Sequence, residues 1–372
     1  MNKPLNKLSI WLLGGLLALS LGCYRQAPLL TEGEMLYLQH KGANLHILVR
    51  GNPNASVVIL MVHGGAGGNS ISHVEDFMNS IEKEYRVAYW DQRHAGVSQG
   101  SFAKEELTLD LMAEDMQLVI QLLKQKYGTE TQVFAMGHSW GVILGTYYLI
   151  TQENELSGAI FSNGSHSSEH ETSARMDYIR GFALEMIDKG IAMPYEIETE
   201  MGSFQSLEEV VEWCEQNDPI VSYPQLRTQY SLVGAVEAYV QETYIQDFID
   251  IEAGIPASEI TYFSHFNPMT AWANGLRTAD LINDTRPGKE NSVQEFYDFT
   301  PEMDDITLPI SLIFGRYDDI IGPEVAEDYF DVVGTPASDK ELHFLENSGH
   351  SGLFRENRRF SQLLLEFVER HR

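Results

Sequence analysis

Gln132-Val133-Phe134-Ala135-Met136-Gly137-His138-Ser139-Trp140-Gly141-Val142 is the stretch that decides how this chain folds. Its first five residues form a short apolar run of the kind found in a strand buried on both faces. From Val142 to Ile150 the sequence reads as a helix. Between the two, Gly137-His138-Ser139-Trp140-Gly141 matches Gly-x-Ser-x-Gly. Glycines at both ends let the chain turn sharply from strand to helix. The Ser is then held in a strained conformation with its oxygen exposed, and the helix N-terminus favours negative charge developing beside it. The pattern fixes only three positions, so its weight comes from the strand before it and the helix after it. Ser139 is the candidate nucleophile.

Working outward, similar apolar runs recur at Val57-Val58-Ile59-Leu60-Met61-Val62, Arg86-Val87-Ala88-Tyr89-Trp90, Gly158-Ala159-Ile160-Phe161, Ile310-Ser311-Leu312-Ile313-Phe314 and Glu341-Leu342-His343-Phe344-Leu345. Helical patterns lie between most of them. Leu111, Met112, Leu118, Val119, Leu122 and Leu123 share one helical face, as do Phe360, Leu363, Leu364, Phe367 and Val368. Alternating strands and helices predict an α/β fold, a mostly parallel central sheet with helices on both faces. Its start is antiparallel, because Met35 to Leu38 and Leu45 to Val49 flank the turn-forming Lys41-Gly42-Ala43-Asn44. The interval 165–308 breaks the alternation. It is rich in Glu, Met and aromatics, with helix-like stretches from Leu207 to Gln216 and Ser231 to Ile249. The expected organisation is a catalytic core in two halves, 30–164 and 309–372, with 165–308 inserted as a helical cap.

The 54 Asp and Glu against 25 Lys and Arg give a net charge of −29, a surface that repels polyanions and excludes nucleic acid as a partner. The N-terminus reads as a leader. Basic Asn2 to Lys7 precedes an apolar run from Leu8 to Leu21, a secretory-signal layout too short and Gly-broken for a membrane span. Ser20-Leu21-Gly22-Cys23 resembles a bacterial lipobox, although Leu is commoner where Ser20 stands. That resemblance implies a signal over 1–22, lipid on Cys23, export from a bacterial cytoplasm, and attachment to the periplasmic or cell-surface face of a membrane. The other cysteine, Cys214, is left alone, so there is no disulfide framework.

A nucleophilic Ser needs a base, a group to orient that base, and donors for the oxyanion. Asp318, in Gly315-Arg316-Tyr317-Asp318, and His350, in Asn347-Ser348-Gly349-His350, each follow a strand and reach the same sheet edge. Ser, acid, His is the chain order expected with this elbow. Asp319 is the rival acid. After Val62, His63-Gly64-Gly65-Ala66-Gly67-Gly68 lets a backbone N–H approach the reacting carbonyl. Gly65 is preferred as that donor, with Gly64 next, and the Trp140 N–H is the second. No Gly-Lys-Ser/Thr follows the glycines, which argues against a phosphate loop. No cofactor or metal is expected. His166 and His170 stand four apart, but the order is not His-Glu-x-x-His and the sequence offers no third ligand.

Together, His63-Gly64-Gly65, Asp91-Gln92-Arg93, the Ser139 elbow, Gly315-Arg316-Tyr317-Asp318 and Gly349-His350 resemble the α/β-hydrolase fold, most of all its proline iminopeptidase branch. The resemblance spans both halves of the core without the cap. It implies a serine hydrolase that cleaves an ester or amide of a small molecule or short peptide through an acyl-enzyme. Ala66 replaces the branch's Pro, His94 replaces its Gly, and no evident Trp-Glu segment marks the cap. Aminopeptidase and carboxylic-ester or lactone hydrolase therefore both remain open, as does a binding protein with a silent site. Glu208, Glu209, Glu212, Glu215, Glu237 and Glu242 are candidate anchors for a peptide amine. Phe204, Trp213, Tyr223, Tyr230, Tyr239 and Tyr244 are candidate linings of an acyl pocket.

Overall fold

The computed structural model describes residues 33–65, 67–70, 73, 80–100, 107–152, 155–193, 195–244 and 297–372. The expected leader and Cys23 lie outside the described residues. The core begins with β1 (Glu34–His40) and β2 (Ala43–Gly51), then β3 (Val57–Val62), α1 (Ile81–Glu84), β4 (Arg86–Asp91) and the short β5 (Gln99–Gly100). It continues through α2 (Leu109–Tyr127), β6 (Gln132–His138), α3 (Trp140–Thr151) and β7 (Gly158–Ser162). The cap region holds α4 (Ser168–Asp188), β8 (Ile197–Thr199), β9 (Gly202–Phe204), α5 (Leu207–Gln216) and α6 (Tyr223–Tyr244). After a 3-10 turn at Thr300–Asp305 the core resumes with β10 (Ile310–Gly315), α7 (Pro323–Val332), β11 (Lys340–Leu345), α8 (Gly352–Arg355) and α9 (Asn357–His371).

The main sheet runs β1-β2-β4-β3-β6-β7-β10-β11, with β5 on β2. From β4 to β11 every neighbouring pair is parallel, whereas β1, β2 and β4 pair antiparallel. The β1–β2 turn is tighter than the sequence suggests. Ala43 and Asn44 pair with His40 and Gln39, leaving only Lys41 and Gly42 in the loop, both at positive φ (39° and 80°). Such a two-residue turn matches the twist of its strands.

Strand β3 shows why its run is continuously apolar. Val58, Leu60 and Val62 join one hydrophobic cluster with α2, α3 and α7. Val57, Ile59 and Met61 join the opposite cluster with Leu353 and the apolar face of α9. Side chains alternate with period two, and helices cover both faces. Among the described residues no helix is long and apolar enough to cross a membrane.

The cap has its own small core, with Met176, Ile179, Val210, Cys214, Leu226 and Leu232 buried together. Helix α6 starts eight residues before Ser231, and the β8–β9 hairpin adds a strand pair to a region expected to be helical. Tyr297, Phe299, Met303, Ile306 and Leu308 pack into the main core, so the chain is back on the core before residue 309.

The loop after β4 is pinned by Arg93, whose Nε and Nη2 donate to the two oxygens of Asp115 on α2 at 2.6 and 2.7 Å. Both side chains are fully buried, and His40 Nδ1 lies 2.7 Å from the same carboxylate. Removing one member of such a pair strands the other charge. Asp115→Ala is expected to lower the unfolding free energy by about 3–5 kcal/mol in denaturant titrations. A change below about 1 kcal/mol would mean that the pair contributes little.

Candidate active site

The strand-to-helix turn after β6 places Ser139 at φ 52°, ψ −122°, a conformation that L-residues adopt only under strain. Its N–H donates to Ser162 O at 3.0 Å, and its carbonyl accepts from Val142 N at 2.8 Å. The flanking glycines are required by close approach. A Cβ on Gly141 would stand 2.0 Å from Val62 O, and one on Gly137 would stand 2.8 Å from Gly141 O.

Three side chains from three loops meet at this sheet edge. His350 Nε2 lies 3.0 Å from Ser139 Oγ, and His350 Nδ1 lies 3.1 and 3.0 Å from the two oxygens of Asp318. Because a carboxylate only accepts, Nδ1 carries the proton and Nε2 is left to accept from the Ser139 hydroxyl. Asp318 is held from all sides. Its Oδ1 accepts from the N–H groups of Ile320 and Ile321 at 3.0 and 2.9 Å, and its Oδ2 from Asn163 Nδ2 at 2.6 Å. Asp318 meets the imidazole directly, whereas Asp319 acts on it through charge. Burial alone lowers the pKa of His350, but the charge and hydrogen bond of Asp318, aided by Asp319 and Glu171, outweigh it. The net shift is upward from 6.5.

The glycine loop after β3 passes beside the Ser. An ideal Cβ on Gly64 would lie 3.2 Å from Ser139 Cβ, and Gly65 follows at φ 134°. Trp140 opens α3, so its N–H belongs to the helix's first turn. The loop is fixed from below by His63. Burial pushes that imidazole down to about 4, so it is neutral. Gln92 N donates to its Nε2 at 3.1 Å, leaving Nδ1–H to donate to Gly64 O at 2.7 Å. Gln92 completes the link, with Nε2 donating to His63 O at 2.9 Å and Oε1 accepting from Trp140 Nε1 at 3.0 Å. Asp91 caps the neighbouring turns by accepting from Ser70 N and Val97 N. Asp91 and Gln92 thus form the scaffold of the glycine loop, while Arg93 ties their own segment to α2, a part that the motif alone does not disclose.

Two supporting residues escape sequence reasoning. Asn163, at φ 53° just past β7, reaches Asp318 across 155 positions of chain. Arg175, on α4, is buried in a network that joins cap to core. It pairs with Glu171, donates to Gln229 Oε1 on α6 at 2.9 Å, and donates twice to Ile320 O at 3.1 and 3.2 Å. Glu171 in turn accepts from Tyr297 Oη at 3.0 Å. Glu171 and Arg175, four apart on α4, thus brace the loop that carries Asp318. Of the cap acids singled out from sequence, Glu208, Glu209, Glu212 and Glu215 are exposed on α5. Phe204 and Trp213 pack on each other at the cap core, and Tyr230 stacks under Arg175. The side chains of Tyr223, Glu237, Tyr239, Glu242 and Tyr244 lie outside the described residues.

The sequence model of the family described as "Serine aminopeptidase, S33" matches residues 52–244, just over half the chain. The chain belongs to this family. It is a hydrolase of the α/β-hydrolase fold, with likeness to the proline iminopeptidase branch. It is 21% identical to the probable aminopeptidase YbaC of Bacillus subtilis over 87% of this chain and 93% of that one. Among solved structures, the proline iminopeptidase of Mycobacterium smegmatis superimposes with a TM-score of 0.59 at 15% identity, covering 91% of this chain and 98% of the other. An esterase from Exiguobacterium antarcticum does so with a TM-score of 0.52 at 15% identity, covering 90% and 100%.

Loss of the Arg175 brace is expected to misplace Asp318 without dismantling the core. Arg175→Met should lower kcat on any substrate turned over by the wild type by about 10–100-fold, with a smaller change in KM. An unchanged kcat would show that the Asp318 loop stands without it.

Proposed function

We propose that the protein is a serine hydrolase working through an acyl-enzyme. Ser139 attacks the acyl carbonyl as His350 takes its proton; His350 then returns that proton to the leaving group, and water attacks the acyl-enzyme by the same route in reverse. Asp318 holds the ring in the useful tautomer and stabilises the imidazolium. The N–H groups of Gly65 and Trp140 receive the oxyanion, with the α3 N-terminus adding favourable potential. The observation that carries this reading is the unbroken chain of contacts from Ser139 Oγ through His350 to Asp318.

The substrate proposed first is a short peptide or amino-acyl amide, in keeping with the family and with the aminopeptidases it resembles. A carboxylic ester or lactone is the second reading, and one observation favours it. Among the described residues, Glu171, a buried acid of the cap's first helix, is already paired with Arg175 and Tyr297 and so is not available to an α-amino group. Assaying proline β-naphthylamide beside short acyl esters separates the two. Both activities should vanish in Ser139→Ala, and full turnover by that variant on a wild-type substrate would end the proposal.

Only neutral His350 serves as base. With its folded pKa raised, kcat/KM should climb with pH through a midpoint above 6.5. Asp318→Asn removes the upward influence and leaves burial. The midpoint should then fall while the rate drops on the order of 10⁴-fold. A midpoint that stays put in the variant would contradict the assignment of Asp318.

The same proposal places the enzyme outside the cytoplasm, exported by residues 1–22 and held to a membrane by lipid on Cys23, on the strength of the lipobox-like Ser20-Leu21-Gly22-Cys23. Radiolabelled palmitate should enter the wild type and not Cys23→Ala. Equal labelling of both would overturn the anchor.

A further inference from the structure

Away from Ser139, where the chain leaves β7 for the cap, His166 sits in an unusual position. Its side chain is fully buried, and neither ring nitrogen makes a hydrogen bond. Buried imidazoles ordinarily find a partner, because leaving a polar atom dry and unpaired costs free energy. Here Nε2 points toward Asp328, 3.1 Å from its Oδ2 but outside hydrogen-bonding geometry. The same Oδ2 lies 2.6 Å from His170 Nδ1. The sequence shows two histidines four apart and withholds a third ligand. Helix α7 supplies it from 158 positions away.

The three donor atoms lie within 4.8 Å of one another. Ligand atoms bound tetrahedrally to zinc stand about 3.3 Å apart, given bonds of about 2.0–2.2 Å, so small side-chain rotations suffice to enclose an ion. The two imidazole rings meet edge to face at 5.5 Å, and Tyr329 closes the floor at 5.3 Å from His166. His170 and Asp328 are 43% and 36% exposed, which leaves a side open to water. Asp298, paired with Ser167 across a β-bridge, adds negative charge felt by both histidines. The first turn of α4 carries partial positive charge that opposes a cation, and the Asp328 and Asp298 carboxylates offset it.

We propose that His166, His170 and Asp328 form a binding site for a zinc-class divalent ion, with water completing the tetrahedron. Two nitrogens among three donors select a borderline transition ion over calcium or magnesium, which take oxygen ligands. The ligands come from the segment after β7, the first turn of α4 and the middle of α7. A bound ion would therefore staple the cap's first helix to the core. It takes no part in the chemistry proposed for Ser139, and the site stands whether or not that proposal holds.

The test uses the full chain, purified without a polyhistidine tag, stripped with a chelator, and titrated with zinc chloride by calorimetry at pH 7.5. Wild type should bind one equivalent saturably, calcium should give no comparable heat, and zinc should raise the melting temperature. His170→Ala and Asp328→Ala, both at partly exposed positions and so expected to fold, should each weaken zinc binding at least tenfold and lose the melting shift. Fluorophosphonate labelling should proceed in these variants as in wild type. No saturable zinc binding by folded wild type, calcium binding as tight as zinc, or wild-type affinity in either variant would overturn the site.

Discussion

The structure depends on how closely helix α3 approaches strand β3. With Gly141 lacking a side chain, its Cα sits where a Cβ would be 2.0 Å from Val62 O. That contact forces the chain to double back within a few residues of leaving β6, and the doubling back holds Ser139 at φ 52°. The strain is sustained because both sides of the turn are over-determined: β6 is paired on both edges, and α3 is buried along most of its length. A side chain at residue 141 would push the helix away and release the Ser into an ordinary conformation.

Around this elbow the fold arranges polar groups that would be expensive anywhere else. Asp318 is a buried carboxylate, and it remains tolerable because two backbone N–H groups, Asn163 and His350 fill its acceptor positions. His63, Gln92 and Trp140 form a second buried chain, which fixes the glycine loop against the start of α3. Neither network is a collection of independent bonds. Each is built from residues that stand just beyond strand ends, Asn163 after β7 and Asp318 after β10 in the first, His63 after β3, Gln92 after β4 and Trp140 after β6 in the second, so the register of these strands sets the positions of the polar groups. Arg175 extends the arrangement to the cap by gripping Ile320 O, whose own N–H serves Asp318.

Much of this is legible in the sequence where meaning is local. The buried parallel strands announce themselves as apolar runs, and the elbow is marked by glycines whose spacing has one steric use. Asp318 and His350 can be picked out because each stands a few residues beyond a strand end, on the edge where Ser139 must be. What escapes is non-local or short. Asn163 and Arg175 act on groups 155 and 145 positions away, and nothing near either residue signals that partner. The β8–β9 hairpin is three residues a strand with only Phe204 buried, too little for periodicity to register. Asp328 joins the two histidines only because α7 packs against the start of the cap.

The central claim is that the sheet edge has prepared Ser139, and no other residue, for attack on an acyl carbonyl. The most direct measurement is mass mapping of the native protein after brief treatment with a fluorophosphonate. The account predicts a single phosphonyl adduct on the peptide carrying Gly137-His138-Ser139-Trp140-Gly141, located at Ser139 and lost on prior unfolding. An adduct at another Ser, or none in protein shown to be folded, would contradict it.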